Sequence, residues 1–154
     1  MSLVVRPALA ADVPRIEALL REVLSEFGLV FGEGSETDAQ VMGLPSSYAE
    51  HGGAFWVAEL EGELCGTCGV FPVGPGAMEL RKMYLASSAR GRGVGVALLA
   101  EAKAFARAAG AQKLVLDTTE QMKAAIAFYE REGFVRDDAE VRGARCSRGY
   151  VLAL

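Results

Sequence analysis

The sequence predicts a mixed α/β domain in which helices cover both faces of a sheet. Apolar residues recur at helical spacing near the start of the chain and again in its second half. Between these segments, residues 54–85 indicate an antiparallel run of strands separated by short turns. The predicted order is strand, helix, antiparallel strands, then strand, helix, strand, helix and strand. This order is typical of a mixed sheet with helices on both faces.

The N-terminal third combines a well-patterned start with a weakly patterned connection. Residues 3–6 are predicted as a strand, and Pro7 ends its pairing because proline lacks an N–H. A helix follows, indicated by apolar residues at helical spacing: Val13, Ile16, Leu20, Val23, Leu24 and Phe27. Residues 28–53 mix glycine, serine and acids, which predicts one or two short helical turns within a mobile connection. His51 is expected to be a solvated loop residue.

The middle of the chain is predicted to form an antiparallel meander. Its strands are residues 55–60, 64–73 and 78–85, joined by glycine-containing turns at 61–63 and 74–76. The second strand carries Cys65 and Cys68, a spacing that zinc and redox pairs use. No second pair and no nearby histidine accompany them, and strand positions three apart face opposite ways. We therefore expect two small buried hydrophobic residues.

Helices and strands alternate in the second half. A long alanine-rich helix is predicted over residues 93–109, with Gly110 as its C-terminal glycine. Residues 113–117 indicate a short buried strand, and residues 121–132 indicate a helix that ends at Gly133. The tail is expected to add one or two final strands, around Val141 and over residues 150–154.

Length and charge restrict the function classes. The 154 residues fit one domain spanning 1–154, and no apolar run approaches the roughly 20 residues that would cross a bilayer. The net charge of -4 argues against nucleic acid as the main partner, because binding to a phosphate backbone requires concentrated positive charge. The first residues lack a secretory signal pattern, so we expect a soluble, cytoplasmic protein without a membrane partner.

One glycine-rich segment lies at a predicted strand-to-helix junction. It reads Arg90-Gly91-Arg92-Gly93-Val94-Gly95-Val96. Unpaired N–H groups and the dipole at a helix start favour an anion, and glycine lets a diphosphate approach the backbone. The dinucleotide fingerprint is excluded because Val96 stands where its last glycine or alanine belongs. A triphosphate P-loop is excluded because no lysine follows Gly95.

This segment resembles the R-x-x-G-x-G/A cofactor motif of the GNAT superfamily of N-acetyltransferases. Residues 125–134, a helix with Tyr129 that ends in glycine and phenylalanine, are similar to the family's second signature. The resemblance covers essentially the whole chain and implies a central, mostly antiparallel sheet in which parallel strands splay apart. One departure is Met122, where many members carry asparagine near the pantetheine arm.

The resemblance implies an acetyl-CoA-dependent enzyme that needs no metal and acts on a primary amine of a small molecule or peptide. Homodimers are common among such proteins. The pantetheine arm would pair with the main chain of the first splayed strand, and the diphosphate would bind the N–H groups that follow. The residues implied as cofactor-binding are Met83, Tyr84, Leu85, Arg90, Gly91, Arg92, Gly93, Val94, Gly95 and Val96.

Two residues are predicted to be catalytic. The resemblance places Tyr129 near the thioester sulfur, where its phenol would protonate the departing thiolate; the alternative is an aromatic packing residue. Glu79 is the candidate base, because it lies four residues before Met83 and alternation would place both side chains on one face. A strand glutamate at this relative position is the base in the histone-acetylating branch, which this span resembles. The alternative is a strand-edge carboxylate paired with Arg81 or Lys82.

Two other functions remain open from the sequence. A non-catalytic acyl-CoA-binding module would keep the glycine-rich turn without turnover, and a purely structural domain would not bind CoA. The acceptor amine is not readable from a motif, because the substrate wall is expected in the least patterned segments, residues 28–53 and 137–148; Arg81 suggests an acidic group on the acceptor.

Overall fold

The computed structural model describes residues 2–154 as a seven-stranded sheet flanked by helices. The strands are β1 (Leu3–Pro7), β2 (Ala54–Leu60), β3 (Glu63–Gly74), β4 (Ala77–Leu85), β5 (Lys113–Thr118), β6 (Val135–Arg136) and β7 (Arg148–Ala153). The helices are α1 (Val13–Ser25), α2 (Asp38–Val41), α3 (Ser46–Ala49), α4 (Val94–Ala108) and α5 (Lys123–Arg131). None of these helices is long and apolar enough to cross a membrane.

The sheet has the order β1-β2-β3-β4-β5-β7-β6, and β4 with β5 is its parallel pair. This pair contains three residue pairs, from Ala77 with Lys113 to Glu79 with Val115. Beyond Glu79 the two strands no longer pair, although β4 continues to Leu85 and β5 continues to Thr118. The predicted mixed α/β fold, mostly antiparallel with splayed parallel strands, is confirmed.

Two hydrophobic clusters cover the two faces of the sheet. The first lies under α4 and α5, and α4 contributes Val94, Leu98, Leu99, Ala102 and Ala106 to it. The second lies under α1, α2 and α3, where Ile16 and Leu20 are among the buried residues. Along β2 the side chains alternate between the clusters, since Trp56 enters the first and Phe55 enters the second. The predicted helices on both faces are therefore present.

Most predicted elements are confirmed, and two strand predictions are corrected. β1 includes Pro7, which pairs with Trp56; an edge strand tolerates a residue without an N–H. Val141 lies outside the strands because its N–H closes a turn onto the Asp138 carbonyl, and β6 pairs with β7 instead. The connection over residues 28–53 contains two short helices, and His51 is exposed, as expected.

A β-bulge at Cys65 changes how the two cysteines face. Two successive residues of β2 pair with Leu64 and Gly66, so Cys65 is an extra residue between them. The bulge inverts the alternation, and Cys65 and Cys68 both enter the cluster under α4. The expectation of opposite faces is wrong for this reason. The expected role as free, buried residues is confirmed.

A second bulge lies at Lys82 on β4. Arg81 pairs with Gly69 of β3, and Tyr84 pairs with Thr67, so β4 has one residue more than β3 between these two pairs. Lys82 takes up the extra length with a positive φ of 54°, and the Thr67 hydroxyl donates to its carbonyl at 2.6 Å. The alternation of β4 side chains therefore changes sense at this point.

The bulge at Lys82 places Glu79 and Met83 on different faces. Met83 packs with Leu80 against the cluster under α4. Glu79 instead binds Arg81, whose guanidinium lies 4.2 Å from the centre of the Phe71 ring on the other face. The expectation that Glu79 and Met83 share a face is wrong, because it assumed uninterrupted alternation.

Candidate active site

The divergence of β4 and β5 opens a cleft that connects two cavities. The larger has a volume of about 760 Å³, and the smaller has a volume of about 380 Å³. The residues that line both are Met83, Tyr84, Met122 and Tyr129. The two cavities therefore adjoin at these side chains. Within residues 2–154, no three His, Cys, Asp or Glu side chains come together as a metal-binding group.

The smaller cavity leads from this junction to the glycine-rich turn. The predicted cofactor-binding residues that line it are Met83, Tyr84, Leu85, Arg90, Gly91 and Gly95. The predicted residues that do not line it are Arg92, Gly93, Val94 and Val96. Val94 is buried, and its side chain belongs to the cluster under α4.

The turn before α4 has the geometry of an anion site. Gly91 and Gly93 have φ angles of 73° and 81°, a region that other residues rarely adopt. Gly93 caps α4, and its carbonyl accepts the N–H of Ala97 at 3.1 Å. The N–H groups of the first turn precede this bond and have no acceptor within the helix. Together with the helix dipole, they favour a bound anion.

Gly95 differs from the other two glycines of the turn. A Cβ atom at this position would lie 3.3 Å from the Phe128 ring of α5 and 3.6 Å from a methyl group of Leu85. A side chain here would require the Phe128 ring to shift by a few tenths of an ångström, so glycine favours the close packing of α4 against α5. From the sequence, all three glycines of the turn were expected only to let a diphosphate approach the backbone. The contact of Gly95 with Phe128 was not predicted.

The two arginines of the turn use their charge differently. Arg90 forms a bidentate ion pair with Glu26 at the end of α1, with both N–O distances at 2.9 Å. It also donates to the Leu85 carbonyl at 3.1 Å. Arg92 donates to the Ser88 carbonyl at 3.4 Å and forms no ion pair with the described residues. Arg92 therefore carries the uncompensated positive charge of the turn, and Arg90 ties the turn to α1.

Tyr129 lies where the two cavities adjoin. Its ring packs edge-on against Phe128 and Phe134, and the residue is 6% exposed. Its hydroxyl has no hydrogen-bond partner among residues 2–154, and burial raises the pKa of the phenol well above its ordinary value. The hydroxyl therefore stays protonated at neutral pH and is available as a donor to a bound molecule.

Glu79 lines the larger cavity but is already bound by arginines. One carboxylate oxygen accepts from Nε of Arg81 at 2.5 Å, and the other lies 3.5 Å from Nη1 of Arg142. Arg81 is itself held by the side-chain oxygen of Gln40 at 3.0 Å. The alternative role of Glu79 is a strand-edge carboxylate paired with Arg81 or Lys82. The ion pair with Arg81 that this role requires is present.

A buried ion cluster joins the walls of the larger cavity. Asp38 of α2 is 1% exposed and binds both Lys82 of β4 and Arg145, the latter at 3.2 Å. Asp38 also accepts the N–H of Gly32 at 2.7 Å, and Arg145 donates to the Glu33 carbonyl at 2.9 Å. These bonds hold two loops against β4, one before α2 and one before β7.

The pKa values in this cluster reflect burial opposed by pairing. Burial acts to raise the pKa of Asp38, but the hydrogen bond and charge of Lys82 outweigh it, and the pKa is lowered. Burial lowers the pKa of Lys82, with Asp38 opposing the shift. Each charged group is therefore held in place by its partner, and removing one leaves a buried charge uncompensated.

Asp117, at the end of β5, is a site residue that sequence reasoning did not identify. Its Oδ2 accepts the N–H groups of Arg142 and Gly143 at 2.6 and 2.7 Å, which fixes one wall of the larger cavity. Its place at the C-terminal end of a predicted strand was a usable signal. Arg142 and Arg145 lie in a stretch without periodic pattern, so no sequence signal identifies them.

Comparison with known proteins agrees with this geometry. The acetyltransferase (GNAT) family matches residues 16–134, which is most of the chain. The chain belongs to the GNAT family. A similar protein, the uncharacterized N-acetyltransferase YjgM of Escherichia coli, is 36% identical over 139 residues, which cover 88% of this chain and 83% of YjgM.

Solved structures share the GNAT fold at lower identity. A GNAT-family acetyltransferase from Staphylococcus aureus superposes with a TM-score of 0.90 at 18% identity, covering 99% of each chain. PaiA N-acetyltransferase from Thermoplasma acidophilum, solved in complex with coenzyme A, gives a TM-score of 0.81 at 19% identity over the whole of both chains. The match over residues 16–134 and the relative YjgM confirm the family predicted from the glycine-rich turn, and the shared fold agrees with it.

The departure from the GNAT pattern at Met122 is visible in the site. Met122 is 7% exposed and lines both cavities. Its sulfur lies 3.8 Å from the hydroxyl of Thr118. A thioether offers no donor and only a weak acceptor, so this wall of the GNAT cleft is apolar where an asparagine would be polar.

Replacing Asp38 with asparagine should destabilise this GNAT domain by on the order of 3–5 kcal/mol, because two buried cations lose their carboxylate. Chemical denaturation measures the change in unfolding free energy. Asp138→Asn is the matched control, since Asp138 pairs with Arg136 on the exposed surface and should have little effect. Equal effects of the two substitutions would contradict the role assigned to the buried cluster.

Proposed function

We propose that this protein transfers the acetyl group of acetyl-CoA to a primary amine of a small molecule or peptide, by direct attack in a ternary complex. The observation that carries the proposal is the unpartnered hydroxyl of Tyr129 between two connected cavities. Two cavities with a buried donor between them suit a reaction between two ligands better than the binding of one. The coenzyme A bound to PaiA, which has the same fold, supports CoA as the ligand of the smaller cavity.

The smaller cavity provides groups that fit CoA. The N–H groups of residues 91–96 and the side chain of Arg92 would hold the diphosphate, while Arg90 closes the turn. Beyond Glu79, β4 lacks a partner strand on the side of β5, so the main chain of Met83 and Leu85 would pair with the pantetheine arm. The diphosphate would thus contact mostly exposed residues of the turn, and the pantetheine arm would contact the partly buried end of β4.

When bound, acetyl-CoA supplies a thioester whose C–S bond breaks as the amine nitrogen forms the C–N bond. Tyr129 would donate its phenolic proton to the leaving sulfur, and its raised pKa keeps that proton in place until then. Glu79 would take the proton of the attacking amine, and for this role its carboxylate has to exchange the contact with Arg81 for one with the amine.

A second function, binding of an acyl-CoA without turnover, is favoured by one observation. Both carboxylate oxygens of Glu79 face arginine side chains, so the proposed base is already engaged. Mixing the protein with acetyl-CoA and a panel of amines separates the two functions, because transfer releases one free thiol for each amide formed. The panel comprises amino acids, polyamines, aminoglycosides and peptide N-termini.

Acetyl-CoA should bind with micromolar affinity, and the double substitution Gly93→Val with Gly95→Val should abolish binding. Valine would be strained at the positive φ of Gly93, and at Gly95 it would meet Phe128. Calorimetry on the folded variant measures the affinity. Gly62→Val is the control, because Gly62 has a φ of 82° in the hairpin between β2 and β3. Unchanged affinity in the double variant would rule out the turn as the diphosphate site.

Tyr129→Phe should lower turnover by roughly tenfold to a thousandfold while leaving the Michaelis constant for acetyl-CoA nearly unchanged, because the leaving thiolate loses its proton donor. Steady-state kinetics measure both constants. Tyr150→Phe is the control, since that hydroxyl donates to Glu130 at 2.7 Å and lines neither cavity. If Tyr129→Phe turns over at the wild-type rate, Tyr129 is a packing residue.

Glu79→Gln should depress turnover at neutral pH and recover much of it as the pH rises. A primary amine with a pKa near 10.4 is only about 0.04% neutral at pH 7, so a base is needed there and not at high pH. The pH profile of turnover tests this. Glu140→Gln removes another carboxylate bound to Arg142, at 2.9 Å, and should give no such recovery. A loss with Glu79→Gln that is equal at every pH would assign that residue a structural role.

A further inference from the structure

The hydroxyl of Tyr48, on α3, is buried without a hydrogen-bond partner. Within residues 2–154 it is the only buried side-chain nitrogen or oxygen of this kind, and Tyr48 is 0% exposed. Buried polar groups are nearly always paired, and an unpaired one lowers the stability of a fold. The groups around this hydroxyl therefore show which partner it could acquire in another state of the protein.

Tyr48 covers a row of residues that pair across the sheet. Phe55 of β2 pairs with Gly69 of β3, and Gly69 pairs with Arg81 of β4. Residues directly opposite each other on antiparallel strands face the same side of the sheet. A Cβ atom at Gly69 would lie 2.7 Å from Cε2 of Tyr48, which is next to the ring carbon that carries the hydroxyl. The hydroxyl end of the ring therefore lies over Gly69, on the side of the sheet that the Arg81 side chain occupies.

The guanidinium of Arg81 has one nitrogen without an acceptor. Nε donates to Glu79 and Nη1 donates to Gln40 at 3.0 Å, but Nη2 forms no hydrogen bond with the part of the chain that the structure describes. The guanidinium lies 4.2 Å from the centre of the Phe71 ring, and Tyr48 packs edge-on against the same ring. An aromatic face attracts a guanidinium without fixing the direction of its N–H groups, so the guanidinium can turn on this ring.

The charge of Arg81 acts on the Tyr48 phenol. Burial raises the pKa of Tyr48, and the largest effect of a neighbouring group is that of Arg81, which opposes the shift. The phenol is therefore neutral at neutral pH. A neutral phenol oxygen accepts hydrogen bonds, so it suits the free N–H groups of Nη2.

We infer that Tyr48 is a positioning residue for Glu79: its hydroxyl accepts a hydrogen bond from Nη2 of Arg81 when Glu79 leaves Arg81 for the amine. The inference rests on the acetyl transfer proposed above, in which Glu79 makes this exchange. The Arg81 side chain is only 13% exposed, so losing an acceptor without gaining another would be unfavourable. Tyr48 lines neither cavity and therefore acts through Arg81, not on a substrate.

Tyr48→Phe should leave the free energy of unfolding unchanged or raise it, because it removes an unpaired hydroxyl. It should lower kcat/KM for the amine by about tenfold, the effect of one hydrogen bond to a charged group, and leave KM for acetyl-CoA unchanged. Tyr150→Phe is the matched control, since Tyr150 is also 0% exposed but its hydroxyl donates to Glu130 at 2.7 Å. The control should lose stability and keep wild-type kcat/KM.

A double-mutant cycle of unfolding free energies tests the contact without turnover. Glu79→Ala removes the carboxylate from Arg81, so the guanidinium should turn to Tyr48. Tyr48→Phe should then be destabilising in the Glu79→Ala background, although it is neutral or stabilising in the wild-type protein. Glu140→Ala is the control background, because Glu140 binds Arg142 at 2.9 Å and has no contact with Arg81. There Tyr48→Phe should have its wild-type effect.

The outcomes separate this inference from the proposed function. If Tyr48→Phe destabilises the wild-type protein as Tyr150→Phe does, the hydroxyl is already paired and the inference is overturned. An equal effect of Tyr48→Phe with and without Glu79, or wild-type kcat/KM in an active protein, overturns it as well. If no amine is acetylated but Tyr48→Phe is destabilising only in the Glu79→Ala background, the acetyl transfer fails and the contact between Tyr48 and Arg81 stands. If Glu79→Ala does not fold, kcat/KM of Tyr48→Phe decides.

Discussion

The divergence of β4 and β5 after Glu79 and Val115 is the constraint on which the rest of the site depends. A parallel pair that continued to the ends of both strands would close the sheet, and the two cavities would be separated. Because the strands part, α5 reaches the opening, and both Met122 at its start and Tyr129 in its last turn lie at the junction. The same divergence leaves one edge of β4 without a partner strand, and the glycine-rich turn begins where that edge ends.

The bulge at Lys82 then decides which side chains face the larger cavity. It directs Lys82 toward α2, where a buried ammonium is tolerated because Asp38 lies against it. Asp38 also binds Arg145, so one carboxylate connects three segments that are far apart in sequence. Burying ions in this way is weak evidence for stability, but it specifies one arrangement of the loops, since each charge requires its partner. The shape of the larger cavity follows from that arrangement.

The sequence predicts the parts of this molecule that rest on local rules. The order of strands and helices, the helix start at Gly93 and the glycine-phenylalanine end of α5 follow from periodicity, turn chemistry and a recognisable motif. These rules do not predict either bulge, because the alternation of side chains along a strand assumes uninterrupted pairing with its neighbour. The ion pair of Arg90 with Glu26 joins residues 64 positions apart, and no pattern in a single sequence reveals it. The walls of the larger cavity are held by such long-range contacts, so Arg145 was not predicted. Asp117 was missed although it lies at the end of a predicted strand.

Hydrogen–deuterium exchange of the whole chain, with and without acetyl-CoA, shows whether the glycine-rich turn and the end of β4 hold the cofactor, because exchange slows where a ligand contacts the backbone. We expect acetyl-CoA to slow exchange over residues 80–96 and at the start of α5, around Met122, while β1 and β2 exchange as before. Protection confined to other segments, or none over residues 91–96 at saturating acetyl-CoA, would show that the cofactor binds elsewhere.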